Sequence, residues 1–156
     1  MTNTMSQDEA RAAFTAARVS RLATVDADGR PHLVPITFVV DASCVYFAVD
    51  AKPKRSPRLR RLRNIEENPQ VSLLADEYSE DWEQLWWARA DGTARVLADD
   101  DAVDVQRHAA DLLRAKYPQY AELTGVGLTA SDTDPASSFG PVVEIRVSRW
   151  SGWRWR

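Results

Sequence analysis

The residues best suited to chemistry are cationic and lie together in the segment 52–63. This segment holds seven of the chain's 20 lysines and arginines and no acidic residue, so the rest of the chain carries 13 basic against 23 acidic side chains. A cationic segment on an otherwise acidic protein indicates a discrete anion site rather than a general affinity for polyanions. Its members are Lys52, Lys54, Arg55, Arg58, Arg60, Arg61 and Arg63.

A helix start is predicted inside the same segment. Ser56 is a suitable N-cap and Pro57 a suitable first helical residue, because the serine oxygen can accept an amide hydrogen and proline has none to lose. The free amides of a first helical turn favour an anion, and Lys54, Arg55 and Arg58 would lie beside them. The pattern predicts a phosphate site; the alternative is a solvated, arginine-rich helix face.

A strand earlier in the chain is predicted to contact a planar ligand. The run from Arg30 to Val40 follows the turn that ends at Gly29, and it contains Pro31 and Pro35. Proline cannot donate a ladder hydrogen bond, so part of this strand is expected at an edge or a bulge, where a ligand can approach the backbone. The exposed part is Val34-Pro35-Ile36-Thr37-Phe38.

The other elements suggest a mainly β protein. A capped helix is predicted from Ser6 and Glu9, and a second helix from Asp99-Asp100-Asp101 to just before Pro118. Further strands are predicted at Val19 to Val25, Cys44 to Val49, Gln70 to Tyr78 and Val142 to Arg149, with a hairpin of Leu85 to Ala90 and Thr93 to Ala98 joined by Asp91-Gly92. Residues 125–140 read as a surface loop. The pattern predicts an α+β fold: an antiparallel barrel with helices packed outside, as a single domain over residues 1–156.

Composition narrows the function classes. No apolar run approaches the ~20 residues that span a membrane, and the amino terminus lacks the features of a secretion signal, so a cytoplasmic protein is expected. The single cysteine, Cys44, excludes an internal disulfide framework. With only His32 and His108 besides, we expect no metal site.

The six tryptophans fall into two groups, around Trp82 and at the carboxyl terminus. Trp86 and Trp87 must face opposite sides of a strand, so one can pack inward while the other meets a partner subunit or a ring system. The terminal group, Trp150, Trp153 and Trp155, could cover the barrel end or a dimer seam. It alternates with arginines and could also stack on nucleotides, but the acidic balance elsewhere speaks against nucleic-acid binding.

Three ordered segments carry a resemblance to a known family. They read RLATVDADGRPHLVPITF, YFAVDAKPK and LRRLRNIEENPQVSLLADEYSEDWEQLWWARADGTARV. Together they resemble the pyridoxamine 5'-phosphate oxidase-like split β-barrel (FMN-binding split barrel) family, and most of all its branch of coenzyme F420 (deazaflavin)-dependent oxidoreductases. The similarity extends roughly from Val19 to Val147. It implies a homodimer of split barrels with two cofactor sites at the subunit interface.

The resemblance also implies roles for individual residues. The cofactor ring would lie along Val34, Pro35, Ile36 and Thr37, and its phosphate beside Lys52, Lys54, Arg55, Ser56, Arg58 and Arg61, with Arg61 the best match to the family's basic residue. Tyr78 and Trp86 or Trp87 would contribute across the interface. No catalytic side chain is assigned: Tyr78 and His32 lie in suitable segments for a proton donor, but solvent could serve equally.

The implied activity is hydride transfer between F420 and an electron-poor small-molecule acceptor. One alternative is an FMN-dependent oxidase or reductase of the pyridoxamine-phosphate-oxidase type, because both cofactors pair a tricyclic ring with a phosphate. A second is a non-catalytic carrier or sensor of F420, flavin or haem. The acidic tail of F420 suits the dense cationic segment and favours F420 over FMN.

Overall fold

The computed structural model describes residues 2–50, 59–97, 102–120 and 139–156. Within these ranges the chain forms three α-helices, seven strands and one short 3-10 turn. The helices are α1 (Gln7–Ala16), α2 (Arg60–Glu67) and α3 (Val103–Lys116). The strands are β1 (Ser20–Val25), β2 (Pro31–Ile36), β3 (Val39–Asp41), β4 (Cys44–Asp50), β5 (Gln70–Glu77), β6 (Trp86–Val96) and β7 (Phe139–Arg154).

The seven strands form one antiparallel sheet in the order β2-β1-β5-β6-β7-β4-β3. Strands β2 and β3 are therefore the two edges of the sheet, yet only Thr37 and Phe38 separate them along the chain. Two residues span at most about 11 Å between the flanking Cα atoms. The sheet must curl until its edges approach each other, which produces a barrel with a seam at Thr37–Phe38. The predicted α+β class, an antiparallel barrel with outer helices, is confirmed.

One face of the sheet is buried inside the barrel. Leu22, Leu73 and Ala90 are fully buried, and cross-strand register places them on one row with Val34 and Trp150. Cross-strand partners share a face, so this row defines the inner side. Helices α1 and α2 pack residues into the same core, whereas α3 packs with residues of β3, β4 and β7 in a second cluster.

The helices confirm part of the predicted pattern. Ser6 and Glu9 form the predicted capping box, with the Glu9 N–H donating to the Ser6 hydroxyl at 3.1 Å and the Ser6 N–H to the Glu9 carboxylate at 2.7 Å. Helix α3 ends before Pro118, as predicted. Among the described residues, no helix is both long enough and apolar enough to cross a bilayer.

The predicted helix start at Ser56-Pro57 is wrong. Helix α2 begins at Arg60, and its N-cap is Leu59, whose side chain makes no capping hydrogen bond. Leu59 has extended backbone, with φ −59° and ψ 141°, so no helix runs through it from Pro57, while its side chain packs against the core. Ser56 and Pro57 themselves lie outside the described residues, as do Asp99 to Asp101 and most of the predicted loop 125–140.

Two strand predictions are also wrong. The run from Arg30 to Val40 is two strands on opposite edges of the sheet, divided at Thr37–Phe38. The predicted hairpin at Asp91-Gly92 is instead a bulge inside the continuous strand β6, where the register against β7 shifts. Gly92 is required there for close approach, since a Cβ atom would lie 2.3 Å from the Arg146 carbonyl oxygen. Asp-Gly suits a bulge as well as a turn, and the local sequence does not separate them.

The last strand is longer than predicted. It continues beyond Arg149 to Arg154, and this extension places Trp150 in the core, with its ring 5.3 Å from that of Phe14 in an edge-to-face arrangement. Helix α1 covers the extension closely: a Cβ atom on Gly152 would meet Ala10 and Met5. Trp150 is thus a core residue beneath α1.

Candidate functional site

The proline-containing strand β2 lies at an open edge, as the prolines predict. Its backbone bonding follows from the register. The Asp26 N–H donates to the Arg30 carbonyl at 3.1 Å. Bonded and non-bonded pairs alternate in an antiparallel ladder, so His32, Val34 and Ile36 bond to β1 while Pro31, Leu33 and Pro35 face outward. Within β2 the open edge offers three carbonyl oxygens and a single N–H, that of Leu33.

The side chains of β2 divide in the same alternating way. Ile36 is buried and Val34 half-buried against the core, whereas Pro35 is exposed and Leu33 is 66% exposed. A flat ligand lying along the segment Val34 to Thr37 would therefore meet backbone and the apolar surface of Pro35. That surface suits an aromatic ring system.

Two tyrosines after α3 fasten the seam where β2 ends. The Tyr117 hydroxyl accepts the Phe38 N–H at 3.2 Å. It can donate its one proton to either of two carbonyl oxygens, that of Arg18 at 2.9 Å or that of Phe38 at 3.1 Å. The Tyr120 hydroxyl is hydrogen-bonded to the Thr37 hydroxyl. Burial raises the pKa of Tyr117. We call Thr37, Phe38, Tyr117 and Tyr120 the seam latch.

Two cations stand beside the seam latch. The Lys116 ammonium lies 3.9 Å from the centroid of the Phe38 ring and donates to the Thr15 carbonyl at 3.2 Å. The Arg18 guanidinium lies 4.7 Å from the centroid of the Tyr117 ring. Burial, with a smaller contribution from the charge of Arg18, lowers the pKa of Lys116 to about 8. The latch thus combines aromatic rings with partly desolvated positive charge.

The cationic helix α2 lies at the other end of the β1–β2 hairpin. Its buried Asn64 donates to the Thr24 hydroxyl at 3.0 Å, and Thr24 is paired with His32. Ile36 is paired with Ser20, four residues before Thr24. At ~3.3 Å per residue the two ends of the hairpin are about 13 Å apart.

The arginines of α2 do not all serve one surface. Arg60 and Arg63 line a cavity of about 240 Å³ together with Asp26, Asp28 and Glu67. Hydrogen bonds from the Arg30 N–H lower the pKa of Asp26, with the charges of Arg30 and Arg60 adding to the effect. Arg61 is half-buried and is not part of this cavity. Of the predicted phosphate ligands Arg61 is described; Lys52, Lys54, Arg55, Ser56 and Arg58 lie outside the described residues.

The predicted aromatic residues occupy the end of the sheet near the seam. Trp86 and Trp87 face opposite sides, as predicted: Trp86 packs against the core and donates its indole N–H to Glu77 at 3.1 Å, while Trp87 is 36% exposed. Tyr78 is 69% exposed. Trp86 also lines a cavity, whose wall includes neither Tyr78 nor Trp87.

That cavity, which we call the tryptophan cleft, has a volume of about 710 Å³. It lies where α1 ends, β1 begins and β7 ends. Ile36 is paired with Ser20, next to Val19 in its wall, so the cleft adjoins the predicted ring strand. The lining residues are Ala13, Ala16, Ala17, Arg18, Val19, Asp76, Glu77, Glu83, Trp86, Arg154 and Trp155.

Sequence reasoning missed the seam latch and the cleft arginine, Arg154. Tyr117 is bonded to Phe38 across 79 positions of sequence, and no local pattern reports such a pairing. The terminal alternation of tryptophan and arginine did mark the region of Arg154, but not the direction in which the side chain points. The structure brings Trp86, Arg18 and Arg154 to one cavity and leaves Tyr78 outside it.

Comparison with known proteins gives a relative by sequence and similar solved structures. The chain is 29% identical over 107 residues to a 5a,11a-dehydrotetracycline/5a,11a-dehydrooxytetracycline reductase from Streptomyces rimosus, covering 68% of this chain and 73% of the relative. It superposes on a FAD-binding protein from Mesorhizobium loti with a TM-score of 0.70 at 23% identity, covering 100% and 99% of the two chains. It superposes on the heme storage protein HutZ from Vibrio cholerae with a TM-score of 0.62 at 22% identity, covering 92% of each.

The structural likenesses establish the split-barrel fold. The family model for pyridoxamine 5'-phosphate oxidase matches residues 6–154, which is nearly the whole chain from α1 to the end of β7. This chain therefore belongs to the pyridoxamine 5'-phosphate oxidase family.

Proposed function

We propose that this protein is an F420-dependent oxidoreductase that reduces an electron-poor small molecule. Family membership and the reductase from Streptomyces rimosus support the reaction class. The substrate in the name of that relative is a dehydro compound, so its reduction adds hydrogen to an unsaturated molecule. For the present chain the proposal is a reductase of the same general kind, with its own acceptor.

The observation that carries the proposal is the arrangement of the β1–β2 hairpin. An open edge strand with an apolar outer surface runs from helix α2, which holds Arg61, to the seam latch. The two ends are about 13 Å apart, which suits a cofactor with a flat ring at one end and a phosphate at the other. The residues present therefore fit a phosphate-bearing tricyclic cofactor.

The protein's own contribution would be binding, orientation and exclusion of water. Leu33 can donate its backbone N–H, and the carbonyl groups of Pro31, Leu33 and Pro35 can accept, along the edge of a ring. Arg61, with the basic residues before it, would hold the phosphate. When bound, the cofactor supplies a hydride. The acceptor takes that hydride at one carbon and a solvent proton at its neighbour, so two electrons and two hydrogens are accounted for.

The choice of F420 over FMN rests on charge. F420 carries an acidic tail beyond its phosphate, and the segment 52–63 holds seven basic residues and no acid. The competing candidate is an FMN-dependent enzyme, favoured by the oxidase that gives the family its name. A non-catalytic flavin or haem carrier is a further alternative on this fold, and turnover with a reduced cofactor distinguishes an enzyme from it.

Titration of the purified protein with F420 and with FMN, followed by ligand fluorescence at several salt concentrations, tests the cofactor. We expect tighter binding of F420, weakening as salt rises. Tighter binding of FMN would reverse the cofactor assignment. Turnover of an enone panel with the reduced form of the better ligand then tests the activity, and its absence would favour a carrier.

Paired variants of the cationic segment locate the phosphate. The double variant Arg58→Ala with Arg61→Ala should weaken cofactor binding at least tenfold, because charge-assisted hydrogen bonds contribute about 1.5–3 kcal/mol each. The matched control is Arg60→Ala with Arg63→Ala, which removes the same charge from side chains that face the acidic cavity. Equal losses in both pairs would show a diffuse charge effect and no phosphate site.

We further propose that a second copy of the chain covers the outer face of the sheet. Cross-strand register places Leu33, Leu74 and Trp87 on this face, and they are 66%, 38% and 36% exposed. Helices α1 and α2 pack into the inner core and α3 packs against β3, β4 and β7. Apolar residues on the part of the face formed by β2, β5 and β6, outside these helix contacts, are typical of a subunit interface.

Substitution of one interface residue tests the dimer. Leu74→Asp should shift the protein from dimer to monomer in size-exclusion chromatography with light scattering, since a charge would be buried in the dimer interface. Val103→Asp is the matched control, because Val103 is 39% exposed and lies on α3. A wild-type monomer at micromolar concentration would refute the proposal.

A further inference from the structure

We propose that the tryptophan cleft is the acceptor site, and that it takes planar aromatic monoanions whose acidic group is held by Arg154. That the bound molecule is a hydride acceptor rests on the proposed function. The binding of an aromatic monoanion in the cleft does not depend on it. Its volume of about 710 Å³ lies within the ~300–1,000 Å³ usual for small-molecule sites.

The first argument concerns Arg154. This residue lines the cleft near the end of β7, and its Nε atom is buried without a hydrogen-bond partner among the described residues. Arg154 as a whole is half-buried, so the rest of its guanidinium is what a molecule in the cleft can reach. Guanidinium groups bind carboxylates through two parallel hydrogen bonds, and a ligand with a carboxylate or enolate would pair with this accessible part.

The second argument concerns shape. Two indole side chains, Trp86 and Trp155, line the cleft together with the small residues Ala13, Ala16 and Ala17 of α1. The alanines leave space that larger side chains would fill, and the indoles offer flat apolar surface. Flat surfaces with adjacent small residues favour a planar ring system over a branched aliphatic ligand.

The third argument concerns total charge. Asp76, Glu77 and Glu83 also line the cleft, and Asp76 is ion-paired with Arg21 at 3.0 Å. Arg21 does not line the cleft but neutralises Asp76, so the remaining lining charges are two negative, Glu77 and Glu83, and two positive, Arg18 and Arg154. A balanced cleft with one unsatisfied guanidinium suits a single negative charge and disfavours a polyanion such as a phosphate ester. This distinguishes the cleft from the cationic segment, where the polyanionic cofactor is proposed to bind.

The fourth argument concerns position. The wall residue Val19 precedes Ser20, which is paired with Ile36 of the ring strand. The carbonyl of the next wall residue, Arg18, can accept from the seam latch through the Tyr117 hydroxyl. A molecule in the cleft would therefore lie beside the end of the hairpin where the cofactor ring is proposed.

Binding can be tested without cofactor. We expect isothermal titration calorimetry to detect binding of 2-naphthoate, with at least tenfold weaker binding of the neutral 2-naphthamide. Arg154→Gln should weaken 2-naphthoate binding about tenfold to hundredfold, because one charge-assisted interaction is lost. The matched control is Arg149→Gln on the same strand, whose side chain is exposed and outside the cleft. Equal affinity for the two probes, or an unchanged affinity in Arg154→Gln, would overturn the proposal.

A second variant guards against misfolding of the first. Ala16→Phe fills the cleft from an exposed helix position and should abolish 2-naphthoate binding while Arg154 is intact. Unchanged binding in Ala16→Phe would place the probe elsewhere and refute the cleft. The cleft would also be refuted if F420 displaced 2-naphthoate and the Arg154→Gln variant bound 2-naphthoate as tightly as the wild type.

Turnover separates this inference from the proposed function. With the reduced cofactor and the enone trans-3-benzoylacrylate, Arg154→Gln should raise KM about tenfold or more and change kcat little, and the uncharged methyl ester should show no such increase. If the Arg154→Gln variant loses 2-naphthoate binding and the wild type shows no turnover, the cleft is supported as a binding site and the enzyme activity is rejected. Turnover with a KM unaffected by Arg154→Gln would support the enzyme and reject the cleft.

Discussion

The two ends of the β1–β2 hairpin are held in different ways. At the seam, buried hydroxyl groups bind backbone: Tyr117 alone contacts both the N–H and the carbonyl of Phe38. At the α2 end, an eight-residue helix is held by two buried apolar residues, Leu62 and Ile65, and by two side-chain hydrogen bonds: Asn64 donates to Thr24, and Glu67 accepts the Ala27 N–H. One end is fixed by directional bonds and the other mainly by apolar packing.

The difference suits the two parts of the proposed ligand. A ring that must meet an acceptor at a fixed distance needs a rigid strand end, and hydroxyl-to-backbone bonds provide one. A flexible phosphate and acidic tail need charge more than rigid geometry, and α2 presents arginines on a helix that apolar packing mainly keeps in place. The comparison predicts that apolar substitutions disrupt one end and hydroxyl deletions the other.

The largest effect is expected from Leu62→Ala at the α2 end. Leu62 is 3% exposed in the main core, and removing such a side chain costs about 2–5 kcal/mol of unfolding free energy. Urea denaturation followed by circular dichroism measures the loss, and cofactor affinity should fall with it because α2 loses its anchor. Arg63→Ala, an exposed position on the same helix, should change stability by less than about 0.5 kcal/mol. Similar costs for both variants would mean that packing does not hold α2.

A smaller effect is expected from Tyr117→Phe at the seam. The change leaves the ring in place and removes the hydroxyl that accepts the Phe38 N–H, so a buried donor loses its partner at about 1–3 kcal/mol. Hydrogen exchange at the Phe38 amide reports the opening of the seam directly. Tyr120→Phe, which removes a half-buried bond to Thr37, should cost less. A Phe38 amide that exchanges as slowly in Tyr117→Phe as in the wild type would show that the latch is not needed.

Sequence reasoning succeeded where the signal was local or periodic. The capping box of Ser6 and Glu9 is a short-range pattern, and the structure reproduces both of its hydrogen bonds. Pro31 and Pro35 predicted an edge strand because a missing N–H is a property of the residue itself. The buried and exposed faces of β6 placed Trp86 and Trp87 on opposite sides, which follows from strand geometry alone.

It failed where distant residues decide. Nothing in the residues 30–40 reports that Thr37–Phe38 joins two sheet edges, because that division is set by the curl of seven strands. The bulge at Gly92 depends on β7, which lies more than 50 positions later in the chain. The Arg146 carbonyl oxygen of β7 comes so close that a Cβ atom on residue 92 would lie 2.3 Å from it. Helix α2 starts at Arg60 and not at Ser56, because Leu59 has extended backbone where its side chain meets the core, and such a contact is a tertiary property.

The smallest and most specific effect is a pH dependence at the seam. Burial lowers the pKa of Lys116 from 10.5 to about 8, with the charge of Arg18 adding to the shift. Between these values the unfolded chain binds more protons at Lys116 than the folded chain does, so the free energy of unfolding rises with pH. Below pH 8 both states are protonated and the burial penalty is fully present; above pH 10.5 it is gone.

Lys116→Met isolates this contribution, because the tyrosines that also titrate in alkali are shared with the wild type and cancel in the difference. Stability of the wild type relative to Lys116→Met should increase steadily from pH 8 to pH 10.5 in urea denaturation. Arg107→Met, an exposed position on α3, should give a flat difference over the same range. A flat difference for Lys116→Met as well would mean that its ammonium stays solvated beside the Phe38 ring, and the seam would then be held by its hydroxyl groups without a desolvated charge.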